Sequence, residues 1–284
     1  MESVDSNSAG SNSEYGILRR PQSVMFSFLG IYLREQSLAI YSGSIIEAFA
    51  RVNISVEAVR STLARMVKRE LLNRHRHGRK MYFSVTDRGR KVLNDGYSRV
   101  WESGAVNRDW DGKWTVVAFS LPNDFRRERH KLQSRLVWLG FGLLQPGLWI
   151  APGDIDVEEA IDETGLSPFV SVMTARPSSS TNASEMVARA FDLDSIAKRY
   201  GKFLERWDSS NPWLEWPDDL ARQLLLHTDW LQVVRQNPRL PADYLPTDWP
   251  AFRAEYVFQS LAQKFESEAE AIAASFFDTI VLTP

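Results

Sequence analysis

The sequence has no cysteine, which removes disulfides, thiol nucleophiles and thiolate-bound zinc together. Four histidines, His75, His77, His130 and His227, leave little for an imidazole metal centre. No apolar run approaches the roughly 20 residues of a membrane span. The Ser- and Asn-rich start, Met1 to Glu14, has none of the apolar core of a secretory signal. These features lead us to expect a disordered tail over 1–20 and a cytoplasmic protein with no membrane partner. Enzyme signatures are also missing. There is no G-x-S-x-G, the Gly112-Lys113 pair has Asn107 where a phosphate-binding loop needs glycine, and Gly140-Phe141-Gly142 is followed by Gln145 rather than a third glycine. In the acidic run Asp154, Asp156, Glu158, Glu159, the last residue stands where a calcium loop requires glycine. No catalytic residue, metal or cofactor is expected.

Charge is present but unevenly placed. Between Arg51 and Lys91 the chain carries twelve Lys/Arg against three acids, a local +9 inside a protein of net charge −2. One surface is therefore suited to a polyanion while the remainder is acidic. With 284 residues, 44% of them hydrophobic, two or three domains with packed cores are expected.

The basic stretch sits in a readable pattern. Pro21 opens a helix reaching about Arg34, and a second apolar stretch, Ser44 to Phe49, precedes a short turn. Ser55 is a good N-cap for a third helix running to about Glu70. Val56, Val59, Leu63, Met66 and Val67 form its apolar stripe, whereas Glu57, Arg60, Ser61, Ala64, Arg65 and Lys68 fall on one polar ridge, with Arg69 just beyond. The period then alternates: a β-hairpin is expected with its turn at His77-Gly78, carrying Arg74, Arg76, His77, Arg79 and Lys80 around the tip. Thr86 caps a further helix to about Asn94. This order reads as a winged helix-turn-helix over 21–98. Arginine on such a ridge can donate two parallel hydrogen bonds to guanine, which lysine cannot do, and cations at a hairpin tip suit phosphates or a minor groove.

Beyond a connector over Gly96–Asp109, the pattern gives a strand at Trp114–Leu121, a helix at Asp124–Leu139 and a strand or hairpin at Gly142–Ala151. An acidic helix at Asp154–Glu163 and a strand at Pro168–Ala175 complete a split βαβ of ferredoxin-like type, which with the connector spans 99–183. Pro177–Ser184 reads as a linker, and 184–284 as a helical regulatory domain interrupted by prolines, Pro212 among them. The fold class is thus α+β. All ten tryptophans, Trp213 included, follow position 100 and suit core packing or an aromatic pocket. Arg222, His227 and Trp230 recur at roughly helical spacing and are candidates for the mouth of a ligand site.

Three blocks, Trp110-Asp111-Gly112-Lys113-Trp114, Leu136-Val137-Trp138-Leu139-Gly140-Phe141-Gly142 and Leu148-Trp149-Ile150-Ala151-Pro152, resemble the PaaX-like family of bacterial repressors. Val59 to Arg65 and Leu240 to Pro246 extend the resemblance. It implies a winged helix, a central ferredoxin-like domain similar to the small nuclease of CRISPR adaptation complexes, and a helical C-terminal domain. It also implies a homodimeric repressor released by an aromatic acyl-coenzyme A thioester. The nuclease's acid at the end of the first strand has no counterpart, since that strand ends Phe119-Ser120-Leu121-Pro122 and Asp124 lies beyond the proline.

The expectation is a repressor of a catabolic operon that binds a palindromic duplex operator and answers to a small aromatic effector. Two alternatives are a metal-dependent nuclease using the central domain and a DNA-binding protein without an effector.

Overall fold

The computed structural model describes residues 20–102, 104–208, 216–235 and 237–282; the tail, Pro212 and Trp213 lie outside them. Two four-stranded antiparallel sheets organise an α+β chain with many helices. The N-terminal elements are α1 (Pro21–Tyr32), β1 (Leu38–Tyr41), α2 (Ser42–Ala50), α3 (Val56–Lys68), β2 (Leu72–His77), β3 (Lys80–Val85) and α4 (Asp87–Tyr97). Pro21 occupies the first helical position of α1, where its missing N–H costs nothing.

The first sheet runs β2-β3-β1-β8, and its last strand, β8 (Thr279–Val281), comes from the far end of the chain. Ile40 pairs with Phe83 on one side and with Thr279 on the other. Sequence pattern anticipates neither β1 nor β8. Each is too short to show alternation; β8 is specified by pairing across more than 200 residues, and β1 by pairing with both β3 and β8.

The second sheet runs β5-β6-β4-β7, built from β4 (Trp114–Phe119), α5 (Arg126–Trp138), β5 (Gly142–Gln145), β6 (Leu148–Pro152), α6 (Glu158–Asp162) and β7 (Val170–Ala175). Central β4 is antiparallel to both β6 and β7. The acidic helix expected over 154–163 shrinks to α6 because Asp156 accepts the Glu158 N–H at 2.9 Å, a local bond that competes with helix formation. The expected linker over Pro177–Ser184 is shorter for a related reason. Asn182 accepts the Glu185 N–H and caps α7 (Ala183–Ala190). Helices α8 (Leu193–Trp207), α9 (Asp219–Val234) and α10 (Pro250–Phe276) follow.

Strand alternation divides the second sheet between two cores. Val117, Trp149 and Ala151 pack with Leu132, Leu136 and Ile161 from α5 and α6. Trp114, Val116 and Ile150 instead join a larger core. That larger core holds Phe28 of α1, Leu63 and Met66 of α3, Leu224 and Trp230 of α9, and Phe258 and Phe265 of α10. Tyr32 donates to Gln223 at 2.7 Å, and Thr228 to Ser27 at 3.0 Å, so α1 and α9 are bonded as well as packed.

The motif blocks have structural work. In Trp110–Trp114, the Trp110 indole donates to the Lys113 carbonyl at 2.8 Å, Asp111 accepts the Lys113 N–H at 2.9 Å, and Gly112 has φ +83. Trp110 also meets Tyr244 of the Leu240–Pro246 block, with ring centroids 5.4 Å apart.

Candidate nucleic-acid interface

The cationic face is built around the end of α3. Ser55 caps its start by accepting from the Ala58 N–H, and Glu57 in the first turn complements the helix dipole. The Glu57 carboxyl is held below its usual range, first by its own backbone N–H, then by the Ser55 hydroxyl and Arg60. Val59, Leu63 and Met66 are buried, which turns Arg60, Ser61, Ala64, Arg65, Lys68 and Arg69 to solvent. The expected ridge is therefore exposed as one surface.

How the hairpin joins this helix fixes the second half of the site. Glu70 takes φ +58, its N–H bonds to the Val67 carbonyl and the Leu71 N–H to the Met66 carbonyl, both at 2.9 Å. This is a Schellman stop with a non-glycine residue in the left-handed position. Thr86 then ties the hairpin base to it, donating to the Glu70 carbonyl at 2.7 Å and accepting from the Gly89 N–H at 2.9 Å. A side chain at position 89 would lie 2.2 Å from the Leu71 carbonyl oxygen, so only glycine permits this closure.

In the hairpin, His77 pairs with Lys80 and the two-residue loop is Gly78-Arg79, one residue later than sequence suggested. Gly78 has φ +60, the first-position glycine of a tight hairpin turn. Arg74, Arg76, His77, Arg79 and Lys80 are all exposed.

The cations differ in what already holds them. Arg65 donates to Ser61 and to Thr62 within its own helix. Lys80 is committed to Asp278, with Nζ 2.7 Å from the carboxylate, and Tyr82 donates to the same group at 3.1 Å. These contacts keep the Asp278 carboxyl below its usual range, Lys80 contributing most. Elsewhere in the basic segment, Arg51 pairs with Asp218 at 2.9 Å and Arg90 donates to the Arg34 carbonyl, so both serve the fold. Among the described residues, Arg60, Lys68, Arg69, Arg74 and Arg79 make no side-chain hydrogen bond or ion pair.

The three candidates from α9 lie in different settings. Arg222 bonds to Asp219 and to the Trp216 carbonyl. His227 packs against Trp101 and Phe258, with centroids 5.7 and 5.3 Å away, and burial lowers its pKa to about 4. Trp230 is 1% exposed and stacks on Phe258 at 4.7 Å. Among the described residues no group of three or more His, Asp or Glu could hold a metal, and no helix is long and apolar enough to cross a membrane.

Fold and site together define an α+β protein that offers an exposed cationic surface on a capped helix and the adjoining hairpin. The chain belongs to the PaaX-like family, three of whose models match it in tandem. "PaaX-like protein" covers residues 20–89, "PaaX protein central Cas2-like domain" 107–187 and "PaaX-like protein C-terminal domain" 191–275. It is 26% identical over 271 residues to the Transcriptional repressor PaaX of Escherichia coli, a match covering 91% of this chain and 84% of that protein. The fold is similar to that of Uncharacterized protein Rv0674 from Mycobacterium tuberculosis, with a TM-score of 0.62 and 21% identity. That similarity covers 89% of this chain and 97% of the other.

Proposed function

We propose that this chain is a DNA-binding transcriptional repressor whose N-terminal unit, 21–98, is a winged helix-turn-helix that places α3 in the major groove. Arg60, Ser61 and Arg65 are the base-reading residues, Ser55, Glu57 and Ala64 shape the approach, and Lys68 and Arg69 meet phosphates. Arg74, Arg76, His77, Arg79 and Lys80 form the wing. One observation carries the reading: a row of exposed cations on a rigidly capped helix, several of them without any internal partner, next to a hairpin bearing more of the same charge. The Escherichia coli relative's printed role as a transcriptional repressor supports it.

The order of elements around the second sheet supports a ferredoxin-like central domain within 99–183, and the helices of 184–284 a regulatory domain. As a homodimer, the protein would set two copies of α3 about 34 Å apart on an imperfect palindrome. The effector is a small aromatic acyl compound such as a coenzyme A thioester. It releases DNA only by preferring one dimer arrangement over the other.

The test is fluorescence anisotropy of the purified full chain on duplexes selected from a random pool. The parent should enrich a palindrome, and Arg60→Ala with Arg65→Ala should abolish the enrichment. Equal affinity of parent and double variant for the selected duplex would overturn the reading.

A further inference from the structure

The far end of the chain returns to the hairpin of the N-terminal unit. Helix α10 ends at Phe276, and the residues just after it are clamped from several sides. Phe277 packs on Phe28 and Tyr32 of α1, with ring centroids 5.6 and 5.1 Å away, and the Arg51 guanidinium lies 4.5 Å from the Phe276 ring. The Ser44 hydroxyl, near the start of α2, donates to the Phe276 carbonyl and accepts from the Asp278 N–H, both at 3.0 Å. The Asp278 carbonyl accepts the Tyr41 N–H at 2.8 Å, and the chain then runs on as β8 beside β1. The main chain of Asp278 is thus bonded to α2 on one side and to β1 on the other.

Its side chain meets the hairpin where the sheet gives least support. Strand β1 pairs with β3 only at Phe83 and Tyr82. From there the β2–β3 ladder continues to the His77–Lys80 pair with no third strand beside it. A two-stranded ribbon twists strongly and is marginally stable by itself. Lys80 and Tyr82, two apart on β3, project from one face, and the Asp278 carboxylate takes both: the ammonium at 2.7 Å and the phenol at 3.1 Å from each oxygen. The Tyr41 ring completes the contact, 5.7 Å from the Tyr82 ring and 5.0 Å from the Lys80 nitrogen. Tyr82 is only 3% exposed, so this junction is packed as well as charged.

We propose that Asp278 is a positioning residue for DNA recognition, which sets the wing at a fixed angle to α3 and ties that angle to the end of α10. It acts through Lys80 and Tyr82 rather than on the duplex itself. The inference rests on the reading of the hairpin as a DNA-binding wing and goes beyond it, because the last strand of the chain becomes part of the reading head. Charge alone argues against an acid here, since it cancels one cation of a surface that meets phosphate. Geometry argues for it: contacts to phosphate fix register and orientation only when the groups that make them are held in place. Because α10 packs with α9 in the larger core, a shift at its C-terminal end reaches the wing through Asp278.

A chain without cysteine accepts paired spin labels at chosen positions. Labels on Arg79→Cys at the hairpin tip and Glu268→Cys, exposed on α10, are compared in the DNA-free full chain with and without Asp278→Asn and, separately, Tyr82→Phe. We expect one narrow distance distribution in the labelled parent and a broader one with either change. On DNA, a double-mutant cycle isolates the same effect, because a uniform gain from removing an acid cancels in it. Arg79→Ala should weaken binding of a selected duplex at least about five-fold in the parent, the worth of one hydrogen bond, and leave it nearly unchanged in the Asp278→Asn background. Distance distributions unaltered by both changes, or an equal loss from Arg79→Ala in the two backgrounds, overturn the positioning role and leave the wing standing. If Arg79→Ala costs the parent nothing, the wing reading fails, and the positioning role with it.

Discussion

Helices α3 and α5 are both rich in bases, and their surroundings are opposite. On α5, three of the five bases are spent inside the fold: Arg129 donates to the Leu121 carbonyl and Lys131 to the Glu163 carbonyl, both at 2.5 Å, and Arg135 pairs with the Glu163 carboxylate. On α3 and its cap, Arg60, Arg65, Lys68 and Arg69 bond to no other element among the described residues, and Arg65 alone bonds within its own helix. Positive charge is common to both, but on α5 most of it is tied to neighbouring elements, whereas on α3 and its cap none is. An interface is marked by cations that the fold has not used, because an ion pair already made must be broken and desolvated before it can serve a ligand.

The contrast can be broken in several ways. The largest expected effect is ionic: with roughly six to ten phosphate contacts per dimer, affinity for a selected duplex should fall about 10³- to 10⁵-fold between 50 and 200 mM salt. A flat anisotropy titration series would place the charge of α3 on the same footing as that of α5. Next, Arg60→Ala with Arg65→Ala should weaken specific binding at least about 100-fold, each base contact contributing on the order of 1–3 kcal/mol. Arg129→Ala with Arg135→Ala should change it less than about three-fold. Comparable losses in the two pairs would end the distinction.

The two cores offer a third comparison. Leu63→Ala and Leu136→Ala should each cost about 2–5 kcal/mol, one in the core shared by α1, α3, α9 and α10, the other under the second sheet. Hydrogen exchange should show Leu63→Ala loosening α9 and α10 as well as α3. Protection of α9 unchanged in that variant would contradict a shared core.

A smaller effect is the pH response of His227, whose folded pKa of about 4 lies below the ordinary value of 6.5 because burial among Trp101 and Phe258 disfavours its charge. The unfolded chain then binds the extra proton, so this contribution is complete above 6.5 and lost as the pH falls toward 4. It amounts to at most about 3 kcal/mol. Denaturant titrations of the parent and of His227→Phe should diverge over that window. Smallest is Asp278→Asn, which removes the acceptor for Lys80 and Tyr82. Because the Asp278 carboxyl is held low, its contribution is present above the ordinary aspartate range and disappears as the pH falls below it. Above that range the variant's Tm should drop by no more than about 3 °C.

Much of the site could be read without coordinates, since helix periodicity and capping are local. Ser55, the apolar stripe of α3, the Thr86 cap and the alternation of the hairpin involve neighbours within a turn or a strand pair. The hairpin turn shifted by one residue because His77 takes a ladder position opposite Lys80. Sequence gave no hint that Lys80 is already held, because Asp278 lies almost 200 positions away.

What local order determined by itself was the charge distribution, the helix that carries it and the hairpin beside it. Propensity, capping and periodicity act over a few residues and need no knowledge of the rest of the chain. Tertiary structure alone decided which cations stay free and that β8 closes the first sheet. Each of these depends on groups far apart in sequence, whose meeting is set by packing and by long-range pairing rather than by any local pattern.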